Sequence, residues 1–137
     1  MPRVSTAKEF QIRVGENLGA GADVFGRLRD AGINVQASCC YQIGEWAHLS
    51  FVPAEPERAA QVLTEQGMDH EVHEVLVVEL PNRAGAFAEV LQEIARLGVQ
   101  TRSAYVTPTT TDTGLVVLKT ADNARVLAEL NAPSDQT

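Results

Sequence analysis

Apolar residues follow two different spacings across residues 74–99, and the change marks a strand followed by a helix. Val75–Leu80 is a short, β-branched run typical of a buried strand. Pro81–Gly85 then interrupts it, because proline and glycine are strong breaks in regular structure. Apolar side chains next recur at steps of three and four, which predicts one helical face: Phe87, Val90, Leu91, Ile94 and Leu97. Gly98 is placed to end this helix.

A weaker copy of the same unit lies near the start of the chain. Phe10, Ile12 and Val14 alternate with polar residues, which predicts a half-buried strand. A glycine-containing break follows at residues 15–21, and apolar residues return at helical spacing until Gly32. Residues 10–52 align with 76–118 without a gap. In this alignment small and apolar residues of the first copy, Gly19, Gly32 and Leu49, fall on Gly85, Gly98 and Leu115.

The same order of elements occurs in both copies: strand, glycine turn, helix, strand, strand, helix. This order indicates a tandem duplication. It predicts an α+β protein of two tandem ferredoxin-like βαββαβ sandwiches, each with an antiparallel sheet and both helices on one face. Residues 69–74 complete the first copy, and no turn separates them from Val75–Leu80, so one continuous strand is expected to link the copies.

The second copy lacks a clear last strand, because only a polar, proline-containing stretch follows residue 131. We therefore expect an open sheet edge there, and since open edges invite pairing, a homodimer. The expected divisions are a loose leader at residues 1–7, a first repeat at 8–74, a second repeat at 75–131 and a polar tail at 132–137.

Composition and charge narrow the classes of function. The chain has 137 residues and a net charge of −7, and it has no basic patch, which argues against nucleic acid as a partner. An RNA-recognition domain of similar topology needs exposed aromatic residues on central strands, and Val75–Leu80 has none. No apolar stretch is long enough to cross a membrane, and the N-terminus lacks the apolar core of a signal peptide. A cytoplasmic protein is expected.

Catalytic and metal-binding patterns are not recognisable in the chain. It contains no GxSxG, HExxH or P-loop motif, so we expect a protein that is not an enzyme and needs no cofactor. Cys39 and Cys40 are adjacent, and neighbouring strand residues point to opposite faces, so they are poorly placed to hold one metal ion. His48, His70 and His73 lack the supporting ligand spacing of a metal site.

The turn and helix resemble the opening of an ACT domain, whose first loop carries Asn or Asp, often followed by Arg-Pro-Gly. The segment Asn82-Arg83-Ala84-Gly85 matches this pattern except that alanine replaces the usual proline. Gln100 stands where the family commonly has Asn after the helix. The upstream copy has Glu16 in place of the loop Asn but keeps Gly32-Ile33-Asn34. The resemblance covers residues 8–131, as in a freestanding tandem ACT protein.

This resemblance implies a non-catalytic regulatory protein that binds a small ligand, commonly an amino acid, at an interface between paired ACT-like copies. Because no catalytic domain is recognised on this chain, the response to the ligand is expected to be read either by a separate protein partner or by the oligomeric state. A glycine turn feeding a helix suits a carboxylate, because the first N–H groups of a helix are unpaired and lie at its positive end. The expected ligand-binding residues are Asn82, Arg83, Gly85, Ala86, Gln100, Glu16, Asn17, Gly19 and Asn34.

Simpler interpretations stand beside this one. The glycines provide turn geometry whether or not a ligand binds, and Asn82 and Asn17 are residue types favoured in turns and helix caps. Gln100 and Asn34, just past the predicted helix ends, also suit plain polar strand positions. The alternative function is a ligand-free protein–protein interaction or oligomerisation module.

Overall fold

A computed structural model describes residues 3–15 and 18–131 of the chain. Within these ranges the fold has six strands and four helices. In chain order they are β1 (Arg3–Gly15), α1 (Ala20–Asp30), β2 (Val35–Ile43), β3 (Trp46–Pro53), α2 (Pro56–Glu65), β4 (Glu71–Pro81), α3 (Ala86–Arg96), β5 (Thr101–Pro108), β6 (Thr113–Thr120) and α4 (Asn123–Asn131). None of these helices has the length and apolar character needed to cross a bilayer. The predicted α+β fold of two ferredoxin-like units is confirmed.

The chain divides into two compact units between His73 and Glu74. The first unit comprises residues 8–73, and the second comprises the described residues 3–7 and 74–131. β4 crosses this division without a break, so the continuous strand expected between the copies is present. Both β1 and β4 therefore contribute residues to both units.

The first unit packs α1 and α2 against one face of its sheet. β3 lies between β1 and β2, antiparallel to both, with Ile12 opposite Leu49 and Cys40 opposite the same leucine. Successive strand residues alternate between the two faces, so Phe10 and Ile12 are buried while Arg13 is exposed. The buried core consists of Phe10, Ile12, Val24, Leu28, Ile33, Leu49, Phe51, Ala59 and Leu63.

The second unit repeats this arrangement with β4, β6 and β5. β6 is central to these three strands, pairing Val116 with Val78 of β4 and with Val106 of β5. α3 buries Ala86, Val90 and Ile94, and the other residues of the predicted helical face, Phe87, Leu91 and Leu97, are partly buried against the same core. The core also contains Val4 from the N-terminal segment, with Leu76, Val78, Leu80, Ala86, Val90, Ile94, Val99, Val116, Leu118, Val126 and Leu130.

The N-terminal segment departs from the sequence expectation. Residues 1–7 were predicted as a loose leader, but β1 begins at Arg3, and residues 3–7 belong to the second unit. Val4 is buried in that unit's core, and its carbonyl oxygen accepts a hydrogen bond from the Asn131 side chain at 3.5 Å. The loose leader is therefore wrong for residues 3–7. Met1, Pro2 and the predicted tail at 132–137 lie outside the described residues.

This segment occupies the position of the strand that the second copy lacks. β1 is the neighbour of β4 in the strand order, on the side of β4 away from β6. The periodicity of the sequence does not reveal it, because Val4 is the one large apolar residue between Arg3 and Ala7. A pattern of buried and exposed positions needs several apolar residues to be recognised.

Candidate functional site

The loop between β4 and α3 is a compact turn built around one glycine. The Arg83 amide donates to the Pro81 carbonyl at 3.0 Å, and the Ala86 amide donates to the Arg83 carbonyl at 3.3 Å. Gly85 then has a φ of 90°, a left-handed conformation that residues with a Cβ atom rarely adopt. The Gly85 carbonyl accepts the first helical bond, from the Glu89 amide at 2.9 Å. Gly85 thus turns the chain directly into α3.

Asn82 attaches this loop to the turn between β5 and β6. Its backbone amide donates to the Asp112 carbonyl at 2.8 Å. Its side-chain amide donates to the Thr111 carbonyl at 3.1 Å. The amide nitrogen of Asn82 is therefore engaged in holding two loops together, which is the turn role considered as the simpler interpretation.

Arg83 forms a two-point ion pair with Glu89 at the start of α3. The Arg83 guanidinium donates from Nη2 to Oε2 at 2.9 Å and from Nη1 to Oε1 at 3.2 Å. These hydrogen bonds and the opposite charge lower the pKa of Glu89 and raise the pKa of Arg83 further. Both side chains are more than half exposed, at 53% and 59%, so the pair contributes little to stability. The arginine is held at the loop but open to solvent.

The first turn of α3 presents backbone donors beside this arginine. The amides of Phe87 and Ala88 donate to no acceptor among the described residues. Such N–H groups lie at the positive end of the helix dipole. Ala86 and Ala88 carry small side chains, so the approach to these amides is uncrowded.

A cleft of about 490 Å³ opens beside the loop and α3. This volume is within the usual range for small-molecule sites. Apolar side chains and two Arg–Glu pairs share its lining, the second pair being Arg96 with Glu93 at 2.8 Å. The lining residues are Leu80, Pro81, Arg83, Ala86, Glu89, Val90, Gln92, Glu93, Arg96 and Leu130.

Gln100 is distant from this loop. It follows the C-terminal end of α3, which has 11 residues and at about 1.5 Å per residue spans roughly 16 Å. Its side chain donates to the Thr101 carbonyl at 3.2 Å. It lines a separate cavity of about 390 Å³ with Ala95, Gly98, Val99 and Thr101. The fold therefore brings Asn82, Arg83, Gly85 and Ala86 together and leaves Gln100 apart.

The corresponding loop of the first unit is described only in part. Gly19 precedes α1 and accepts from the Asp23 amide at 2.8 Å, but its φ of −99° is not left-handed. Glu16 and Asn17 lie outside the described residues. Asn34 is exposed beyond the other end of α1, where its carbonyl accepts from the Ala54 amide at 2.9 Å.

Sequence reasoning missed Glu89 as a functional candidate. It stands in the first turn of α3 and six positions after Arg83. This spacing has no meaning within one helix, because only residues three or four apart face each other there. The left-handed turn at Gly85 brings the two side chains together, and the sequence alone does not specify that path.

Candidate metal ligands do not cluster in the part of the chain that the structure describes. No group of three or more His, Cys, Asp or Glu side chains among those residues is arranged to hold an ion. Cys39 and Cys40 are free thiols, and burial, together with the neighbouring Cys39, raises the pKa of Cys40.

Several solved structures share the fold of this chain. Protein BT0572 from Bacteroides thetaiotaomicron superposes with a TM-score of 0.83 at 23% identity, covering 93% of this chain and 90% of that protein. The regulatory subunit of aspartate kinase from Thermus thermophilus, in its ligand-free form, gives a TM-score of 0.66 at 16% identity, with coverage of 92% and 91%. The corresponding subunit from Thermus flavus gives 0.61 at 17% identity, with coverage of 94% and 92%.

Sequence comparison identifies the family. No curated protein matches the chain. The family model of the ACT domain pair matches residues 5–131, which include both copies of the βαββα order and the loop at Arg83. The chain therefore belongs to the ACT domain pair family.

Proposed function

We propose that this protein is a non-catalytic regulatory sensor that binds a free amino acid at the β4–α3 loop. The binding residues are Asn82, Arg83, Gly85 and Ala86, with Glu89 added from the structure. The regulatory subunits of aspartate kinase share its fold, and that likeness supports a regulatory role. The proposed setting is the cytoplasm, which suits the two free cysteines. The proposed assembly is a homodimer that acts on a separate protein.

The cleft beside Arg83 is the observation that carries this proposal. A ligand carboxylate placed there accepts from the Arg83 guanidinium, which lines the cleft, and the positive end of the α3 dipole beside it favours the negative charge. Charge-assisted bonds of this kind are stronger than neutral ones. Gly85 keeps the backbone accessible, because glycine has no side chain to block a ligand and adopts a φ of 90° without steric cost.

Glu89 supplies the complementary half of the recognition. In the free protein its carboxylate is occupied by Arg83, at 2.9 Å. When the ligand carboxylate takes the guanidinium, Glu89 becomes available to accept from the ligand ammonium. The bound amino acid thus exchanges one exposed ion pair for two, and a ligand that lacks either charge makes this exchange incompletely.

Regulation follows from the difference in affinity between two arrangements of the protein. A ligand shifts such a population only as far as it prefers one arrangement over the other. Arg83 and the Asn82 bonds to the β5–β6 turn link the ligand site to neighbouring backbone. The affinity of a partner that contacts this end of the unit would depend on whether Arg83 binds Glu89 or the ligand.

The loop of the first unit is the second position to consider. Gly19, Glu16 and Asn17 correspond to the Arg83 loop in the duplicated sequence. We assign the main site to the second unit, because its glycine is left-handed and its arginine lines a cleft. Gln100 and Asn34 stand beyond the far ends of α3 and α1 and are proposed only as contacts from an adjoining copy.

A thermal-shift screen of the twenty amino acids tests the proposal, with matched glycine variants as controls. We expect one or a few amino acids to raise the melting temperature of the wild-type protein. Gly85→Val should abolish the increase produced by the ligand of this loop, because valine cannot keep the left-handed turn that orients the helix amides. Gly98→Val is the control, since Gly98 also has a positive φ, 73°, at the other end of α3.

The two variants separate ligand binding from folding. Backbone strain should destabilise both variants by about 1–2 kcal/mol or more each and so lower both melting temperatures, but Gly98→Val should keep the ligand-induced increase. Equal loss in both variants would contradict the assignment to the loop. If no amino acid at millimolar concentration stabilises the wild-type protein, the sensor proposal fails and the ligand-free interaction module becomes the better function.

A further inference from the structure

The helix-free face of the first unit carries a second cleft, of about 560 Å³. It lies wholly within residues 8–73 and shares no residue with the cleft at Arg83. Strand residues form its floor, and the chain leading into β4 forms one wall. Its lining includes Gln11, Arg13, Tyr41, His48, Ser50 and Asp69.

The strand register places a row of chemically useful side chains on this face. Arg13 of β1 lies opposite His48 of β3, which lies opposite Tyr41 of β2. Paired residues of neighbouring strands project to the same face. Gln11 and Ser50 form the next such row and line the same cleft. The Gln11 side-chain amide also donates to the Glu9 carboxylate at 2.9 Å.

Charges of both signs line the cleft. The Arg13 guanidinium lies over the Trp46 ring, 4.4 Å from its centroid, a cation–π contact that fixes its position. Asp69, just before β4, and Glu71, the first residue of β4, line the same cleft. The Glu71 carboxylate contacts His73 at 3.1 Å, so Asp69 is the less engaged of the two. The two carboxylates repel a simple anion, and Arg13 repels a simple cation. A zwitterion carries both charges and is therefore complementary to both groups.

A flat aromatic wall adds a third element. The rings of Tyr41 and His48 stack with centroids 5.1 Å apart and planes inclined by 10°. Tyr41 is 50% exposed, so part of this stacked pair is open to solvent. Aromatic ligands gain from offset stacking on such a surface in addition to the area they bury.

We propose that this cleft binds a free aromatic amino acid, in a site separate from the β4–α3 loop. The ligand carboxylate binds Arg13, the ammonium binds Asp69, and the ring lies along Tyr41 and His48. Ser50 and Gln11 supply polar contacts beside the carboxylate. A volume of about 560 Å³ accommodates an amino acid with a ring side chain and its first hydration waters.

Trp46 provides a direct measurement, since it is the single tryptophan of the chain and contacts Arg13. L-phenylalanine does not absorb at the red edge of tryptophan absorption, so it can be titrated while Trp46 fluorescence is followed. We expect a saturable change in Trp46 fluorescence as the ligand carboxylate binds Arg13 and alters its contact with the Trp46 ring. Three matched probes each lack one feature: phenethylamine the carboxylate, 3-phenylpropionate the ammonium, and L-alanine the ring. Each should bind at least about tenfold more weakly.

Variants locate the site, with affinities measured by calorimetry because Arg13→Met itself alters the surroundings of Trp46. Arg13→Met and Asp69→Asn should each weaken L-phenylalanine binding at least about tenfold. Arg29→Met is the control, because Arg29 is an exposed arginine of the same unit, and its ion pair among the described residues is with Asp30, its neighbour in sequence. Thermal unfolding verifies that all three variants remain folded.

The outcomes also distinguish this site from the loop site. No saturable change in the wild-type protein, or unchanged affinity in Arg13→Met, would overturn the inference. If Gly85→Val removes the binding of L-phenylalanine while Arg13→Met preserves it, the ligand occupies the loop, and the proposed function stands without the second site. Loss in Arg13→Met with retention in Gly85→Val supports the helix-free face.

Discussion

Arg83 is held in place by Glu89 in the free protein, and that contact changes the pKa of the Glu89 carboxylate, which can be measured. The guanidinium lowers the pKa of Glu89 through hydrogen bonds and charge. Arg83→Gln removes both influences, so we expect the pKa of Glu89 to rise toward the ordinary range for glutamate. A carbon-13 NMR titration of the side-chain carboxyl measures this directly.

The sign of the pH effect follows from the direction of the shift. Because the folded-state pKa of Glu89 is depressed, the contribution of the pair is present above the unfolded-state pKa and is lost as the pH falls through the folded value. Arg125→Gln, which changes an exposed arginine on α4, is the control and should leave the Glu89 titration unchanged. An unchanged titration in Arg83→Gln would mean that the ion pair is not maintained in solution.

For single residues, the sequence predicts the turn at residues 81–85 better than it predicts the hydrogen bonds that Asn82 makes there. Pro81 and Gly85 predict a break, and the glycine is indeed left-handed. The bonds of Asn82 to Thr111 and Asp112 depend on the register of a hairpin almost thirty positions away. No local pattern encodes a contact of that kind, so the structural use of Asn82 could only be offered as an alternative.

β1 is the element whose role differs most from expectation. Its residues 3–7 lie in the second unit, and its remaining residues lie in the first. Deleting residues 2–7 removes the buried Val4 and the strand beside β4. We expect the free energy of unfolding to fall by at least about 2 kcal/mol, from one buried valine and several backbone hydrogen bonds. Chemical denaturation followed by circular dichroism measures the change.

Deleting residues 132–137 from the opposite terminus is the matched control. That deletion should leave the free energy of unfolding within about 0.5 kcal/mol of the wild-type value. The N-terminal deletion should also increase aggregation, since it uncovers the backbone of β4 along an apolar strand. Equal stability of the two truncated proteins would show that residues 3–7 contribute nothing to the second unit.

The difference in predictability among elements has a physical cause. α3 contains several apolar residues at helical spacing and β4 contains a short continuous apolar run, so the burial of both is encoded locally. The N-terminal segment contributes one buried valine, and its strand conformation depends on an exposed edge of β4 that is distant in sequence. Long-range pairing of a weakly patterned strand is visible only in the folded chain.

The duplicated sequence produces two units, but no single cut in the chain divides one unit from the other. Each of the two long strands, β1 and β4, is divided between them. The first unit uses the later residues of β1 and the first residues of β4, and the second unit uses the rest. The missing last strand of the second copy is therefore supplied from the start of the chain, a result that reading each repeat by itself does not give.

This arrangement changes the reason to expect a homodimer. The sequence predicts pairing at the open edge of the second copy, but residues 3–7 occupy that position. The strands at the ends of the strand order are β2 and β5. β2 exposes the large apolar side chain of Ile43, at 62%. Exposed apolar edges of this kind are pairing sites, so β2 is the better interface.

Light scattering coupled to size-exclusion chromatography tests this interface. We expect the wild-type protein to elute as a dimer at micromolar concentration. Ile43→Lys should give a monomer, because a lysine on each copy places like charges within the apolar contact. Val106→Lys is the control, since Val106 is equally a half-exposed apolar residue on the other outer strand, β5. A dimer that survives Ile43→Lys but dissociates in Val106→Lys would move the interface to β5, and a monomeric wild-type protein would contradict the dimer altogether.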